Sequence, residues 1–126
     1  MRITGHAPFL LAPDVRAALE HYREVLGFET HHYEHAPEDN GTATRDGCTI
    51  FFNRGPAATP NSVLAPPDLF DVYLWTDDVQ GLFDEFTASG ADVLHEPTDQ
   101  AWGMREIRVR DPNGYVLGFG QPLDLA

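Results

Sequence analysis

Apolar residues recur at helical spacing in two places along the chain. Val15, Ala18, Leu19, Tyr22 and Val25/Leu26 make the first stripe. It opens at Asp14, whose carboxylate can cap the amides behind it, and Gly27 supplies a left-handed stop. Val79, Leu82, Phe83 and Phe86 make the second stripe, opened at Asp77–Asp78 and closed by Gly90. A short apolar strand precedes each helix, Phe9–Leu11 in one case and Val72–Trp75 in the other. Similar punctuation follows each. Arg45-Asp46-Gly47 leads into a strand at Cys48–Phe52, and Arg110-Asp111-Pro112-Asn113-Gly114 into one at Tyr115–Phe119. In the second turn proline presets φ and Asn-Gly tolerates positive φ. The pattern predicts strand–helix–strands twice, an internal duplication offset by about 63–64 residues. Module one spans about 3–55 and module two about 69–122, together one domain over 1–126. The stretch 55–68, with Pro56, Pro60, Pro66 and Pro67, reads as the connecting loop.

Strand alternation separates two faces. Leu10, Ile50, Phe52, Val72, Leu74, Leu117 and Phe119 share one parity and are expected under the two helices. The other parity carries Phe9, Leu11, Phe51, Asn53, Asp71, Tyr73, Trp75 and Gly118. That face is aromatic with scattered polar groups, and no helix is left to cover it. In a small domain such a face calls for a ligand, a partner subunit or both.

Composition narrows the function. The 126 residues include 42% hydrophobic and 22% charged side chains, a globular balance. Eight Lys+Arg against 20 Asp+Glu give a net charge of −12. A field of that sign repels phosphate backbones and anionic lipid, which argues against nucleic-acid or membrane partners and favours a cationic small molecule. Cys48 is the only cysteine, so an intrachain disulfide is excluded; it is expected as a buried strand residue. No secretion signal or apolar run approaching ~20 residues stands out, and the default address is the cytoplasm.

The tract D-V-R-A-A-L-E-H-Y-R-E-V-L-G-F (Asp14–Phe28) resembles the first helix of the vicinal oxygen chelate superfamily, and R-D-P-N-G-Y (Arg110–Tyr115) resembles its closing hairpin. That superfamily includes glyoxalase I, extradiol dioxygenases, fosfomycin-inactivating enzymes and bleomycin resistance proteins. Q-A-W-G-M-R-E (Gln100–Glu106) and Pro8, six residues ahead of Asp14, are most similar to the bleomycin resistance proteins. The resemblance implies an α+β fold of paired βαβββ modules, whose curved mixed sheets form a cup with helices on the outer face. In the superfamily's enzymes four side chains hold a divalent metal. The matching positions here are Ala7, Phe51, Asp71 and Gly118, of which only Asp71 is a metal-binding residue type. No cofactor and no catalytic residue is therefore expected.

The resemblance implies a non-enzymatic homodimer that sequesters a flat, cationic aromatic ligand in grooves between subunits. Pro8 would be the hinge of an arm exchanged between protomers. The ligand-binding candidates are Phe9, Phe51, Asn53, Asp71, Tyr73, Trp75, Trp102, Glu106 and Arg108. Aromatic rings would stack on the ligand, and Asp71 and Glu106 would attract its charge. Each candidate has a plainer alternative. Trp75 could be dimer core, Trp102 a loop anchor and Phe51 a plug of the cup. Arg108 could serve only to neutralise Glu106, and Asp71 could hydrogen-bond a neighbouring backbone or tyrosine.

Two further functions compete. One is a metal-dependent glyoxalase- or dioxygenase-like enzyme with unorthodox ligands drawn from His6, His31, His32, His35 or Asp71. His31, His32 and His35 fit a polar edge strand or loop better than a metal cluster. The other is a scaffold or regulatory subunit whose cup is filled by a protein.

Overall fold

The computed structural model describes residues 1–36, 38–65 and 69–123. Pro66 and Pro67, two of the four prolines in the expected connecting loop, lie outside that set. The chain divides into two compact units, Met1–Ala58 and Thr59–Ala126.

In the first unit, β1 (Phe9–Ala12) feeds α1 (Val15–Glu24), and β2 (Glu29–His32), β3 (Asn40–Arg45) and β4 (Cys48–Arg54) follow. The strands form one sheet in the order β1-β4-β3-β2. β1 runs parallel to β4, and the remaining pairs are antiparallel. Asp14 caps α1 as expected, its carboxylate accepting from the Ala17 N–H at 3.0 Å. Val15, Ala18, Leu19 and Tyr22 are buried on the face of α1 that meets the sheet, and Leu26 just beyond the helix is buried too, along with Leu10, Ile50 and Phe52. Tyr22 is the centre of this core, with edge contacts to Phe28 and Phe52 at 5.6 and 5.0 Å. Gly41 is required where it stands, because a Cβ there would collide with Leu19.

The β3–β4 turn places Asp46 at φ 49° and Gly47 at φ 79°, the paired positive angles of a two-residue hairpin. This geometry puts Cys48 at the outer end of β4, where it is exposed and not buried as expected. The edge strand β2 carries His31 and His32 in the open, with His35 exposed just beyond it. They form the polar edge read from the sequence.

The second unit repeats the plan. A short helix α2 (Asn61–Leu64) lies within the segment read as a loop. Then come β5 (Val72–Trp75), α3 (Val79–Ser89), β6 (Asp92–Val93), β7 (Thr98–Asp99), β8 (Met104–Arg110) and β9 (Val116–Pro122). The sheet order is β5-β9-β8-β6, with β7 also paired to β8. Asp78 caps α3, and Gly90 ends it at φ 84°. Phe86 and Phe119 meet in the core at 5.2 Å. In the closing turn Asp111 accepts N–H groups from Asn113 and Tyr115, at 2.9 and 3.0 Å.

The duplication is visible in the registers. Phe9 faces Phe51 across the parallel pair of the first sheet, and Tyr73 faces Gly118 in the second. Phe51 and Gly118 are thus equivalent positions. Within each sheet the helix covers one face, so the two-state alternation read from the sequence holds for Leu10, Ile50, Phe52, Leu117 and Phe119. Val72 and Leu74 are only half-buried.

Candidate functional site

The second unit builds its open face from three strands. β5 supplies Tyr73 and Trp75, β8 supplies Glu106 and Arg108, and β9 contributes Gly118 and Gly120 with no side chains at all. The glycines matter because Tyr73 lies over them. A Cβ on Gly120 would collide with the Tyr73 phenol, and one on Gly118 with Phe70 and Tyr73. Gly118, expected on an uncovered face, is consequently buried under those two rings.

Glu106 is the centre of the arrangement and is fully buried. Its Oε2 accepts the Tyr73 hydroxyl at 2.9 Å and the Trp102 indole N–H at 3.2 Å. Its Oε1 accepts from the Arg108 guanidinium at 3.3 Å. A buried carboxylate is tolerable only when paired and hydrogen-bonded in this way. Arg108 also lies over the Phe70 ring, 4.8 Å from its centroid, a cation–π contact. Phe70, Tyr73 and Trp75 continue as an edge-to-face series, with centroids 4.9 and 5.2 Å apart. Burial, and then the hydrogen bond to Glu106 and its charge, push the Tyr73 hydroxyl well above the ordinary phenol pKa.

Trp75 and Trp102 mark the outside of this cluster, 68% and 58% exposed. Phe70 was not singled out from the sequence, because it stands outside the β5 alternation. Asp71 behaves differently from the other candidates. Its Oδ1 accepts the Asn61 N–H at 3.0 Å and its Oδ2 the Val116 N–H at 2.9 Å. The carboxylate ties the start of α2 to β9, the backbone role that was its alternative.

The first unit presents a second aromatic surface. Phe9, 64% exposed, stacks on Phe51 with centroids 4.4 Å apart and planes 4° from parallel. With Tyr33, Asn40, Gly41 and Asn53 they line an open depression of about 230 Å³. Tyr33 and Asn40 went unnoticed in the sequence, one hidden in the histidine-rich segment and the other opening a strand with no apolar alternation. Pro8 precedes β1, and its carbonyl accepts the Phe51 N–H at 3.0 Å.

Residues 4–119 match the family model described as the Glyoxalase/Bleomycin resistance protein/Dioxygenase superfamily. The chain belongs to that superfamily. An uncharacterized protein of Mycobacterium tuberculosis is 30% identical over 129 aligned residues, covering 93% of this chain and 74% of the relative. Among solved structures, TioX from Micromonospora sp. ML1 is 25% identical with a TM-score of 0.72, covering 95% of this chain and all of that one. The bleomycin-binding protein of Streptomyces verticillus, solved with copper(II)-bleomycin, shares the fold at a TM-score of 0.73. Its identity is 23%, over 94% of this chain and 96% of that one.

The superfamily's metal does not fit the residues present. Ala7, Phe51 and Gly118 offer no donor, and both oxygens of Asp71 accept backbone N–H groups. Among the described residues no group of three or more His, Cys, Asp or Glu side chains could hold a metal ion. His6, His31, His32 and His35 are all exposed and supply no alternative set. No helix among the described residues is long and apolar enough to cross a membrane.

Proposed function

We propose that this superfamily member is a non-enzymatic, cytoplasmic, homodimeric protein that binds and sequesters a small aromatic ligand, with a preference for cations. The observation that carries the reading is the pair of exposed tryptophans beside a buried polar cluster. Trp102 is held by its indole N–H on Glu106 while more than half of its surface stays open. A ring fixed in this way has lost little additional freedom to lose on stacking against a planar ligand. The fold shared with a bleomycin-binding protein supports a small-molecule role. Cation preference rests on the net charge of −12. Glu106 contributes little to it, since Arg108 already opposes its charge. Apolar side chains left open away from these rings, Leu11 on the first sheet and Val63 and Leu64 on α2, support burial against a second copy.

The test is a tryptophan-fluorescence titration of metal-free protein with metal-free bleomycin, at low and high salt. Saturable quenching that weakens with salt and is lost in Trp102→Ala is the expected result. Absence of quenching at high micromolar ligand would overturn the drug-binding reading. Light scattering on the eluting protein is expected to give twice the 14.0 kDa chain mass.

A further inference from the structure

The depression on the first unit has a chemistry distinct from the Glu106 cluster. Its floor is the Phe9–Phe51 pair, whose near-parallel rings provide an extended π surface. Tyr33, 61% exposed, contributes to the wall. The polar groups are two amides, Asn40 on β3 and Asn53 on β4, and the register sets them directly opposite one another. Neither side-chain amide has a hydrogen-bond partner among the described residues. Both residues are half-buried, but neither amide is among the buried unpartnered groups, so both are open to solvent and to a ligand. Among the described residues no charged side chain lines the depression.

We propose that this depression is a subsite for an uncharged planar heteroaromatic ring bearing a lactam or carboxamide edge. The ring stacks along Phe51 and Phe9, and its N–H and C=O exchange hydrogen bonds with Asn53 and Asn40. An amide presents both a donor and an acceptor, so a side-by-side pair matches a ligand edge that alternates the two. Among the described residues no carboxylate lines the depression, so a cation finds no countercharge there beyond the acidic field of the whole chain. The proposal deepens the small-molecule reading and rests on it. It assigns neutral recognition to the first unit, whereas the tryptophans belong to the second.

The probes are quinolin-2(1H)-one, its N-methyl derivative and N-methylquinolinium, three rings of similar shape that differ in edge and charge. Binding is followed on the full chain by two-dimensional ¹H–¹⁵N spectra, which resolve the asparagine side-chain NH₂ groups. The lactam is expected to shift the Asn40 and Asn53 side-chain signals and to bind about fivefold more tightly than its N-methyl derivative, the scale of one net hydrogen bond. Asn53→Ala and Asn53→Leu are expected to remove that preference while the remaining backbone signals stay in place. Equal binding of lactam and N-methyl derivative, stronger binding of the quinolinium, or no binding at all would overturn the proposal. Both tryptophans belong to the second unit, so the bleomycin titration reads residues other than the two asparagines. Lactam binding without quenching would retain the subsite and remove the sequestration reading, and the converse would remove the subsite alone.

Discussion

Replacing Glu106 with alanine removes the one acceptor that Tyr73, Trp102 and Arg108 share. The Arg108 side chain is 16% exposed and Glu106 is not exposed at all, so the variant leaves a cation in a mostly dry site. Breaking a buried pair from one side costs about 3–5 kcal/mol. Arg108 keeps its contact with Phe70 and some access to water, which favours the lower end, about 3 kcal/mol. The Tyr73 hydroxyl is left without its acceptor in the same change, adding about 1 kcal/mol. For a chain of this length a total near 4 kcal/mol corresponds to a fall of roughly 15 °C in Tm. Urea and thermal unfolding followed by far-UV circular dichroism measure it without relying on Trp102 as reporter. Glu106→Ala combined with Arg108→Met is expected to recover part of the loss, because no buried charge remains unpaired. A Glu106→Ala variant within 1 kcal/mol of the parent, a threshold well above the usual few-tenths error of additivity, would refute the reasoning.

Gly120→Ala drives a methyl group into the Tyr73 phenol and is expected to cost about 2 kcal/mol by overpacking; chemical unfolding reads the loss, and the Trp102 emission shifts as the Glu106 cluster is disturbed. The raised pKa of Tyr73 has a sign that can be checked. The folded state keeps a proton that the unfolded chain releases near the ordinary value of 10.0. Stability from this source is whole below that pH and is lost as pH rises through it toward the folded value. Tyr73→Phe is expected to flatten the alkaline side of the stability profile, and an unchanged profile would argue against a phenol both buried and held on Glu106.

The helices and their caps were legible because Asp14, Asp78 and Gly90 act locally, on amides and angles within one turn. The duplicated strand–helix–strand order was legible for the same reason. β2 and β3 were harder to read. Glu-Thr-His-His and Asn-Gly-Thr-Ala-Thr-Arg carry no apolar alternation, and their strand character comes from pairing, β3 with β4 and β2 with β3. In the site, parity put Tyr73 and Trp75 on one face, but it could not show that Gly120 makes room for the Tyr73 ring. Nor could it show that Glu106 is fully buried. Both outcomes involve Tyr73, which meets Glu106 and Gly120 from more than thirty positions away. Cys48 was misjudged because its apolar neighbours were weighed more heavily than the hairpin that starts its strand.

Among the described residues neither sheet borrows a strand from the other half of the chain. Every pairing of the first lies within residues 9–54, and every pairing of the second within 72–122. During synthesis the nascent chain therefore holds all the strands of the first sheet before β5 is translated. Its parallel partner for β1 arrives last, with β4, so the β1–β4 pairing, closed across α1, β2 and β3, is the longest-range contact of that sheet. While the second half is still being made, Phe9 and Leu11 stand open on the new sheet, as they do in the complete chain, and offer apolar surface for association. The polar, histidine- and glutamate-bearing β2 occupies the free edge during that interval, which discourages strand addition from neighbouring chains.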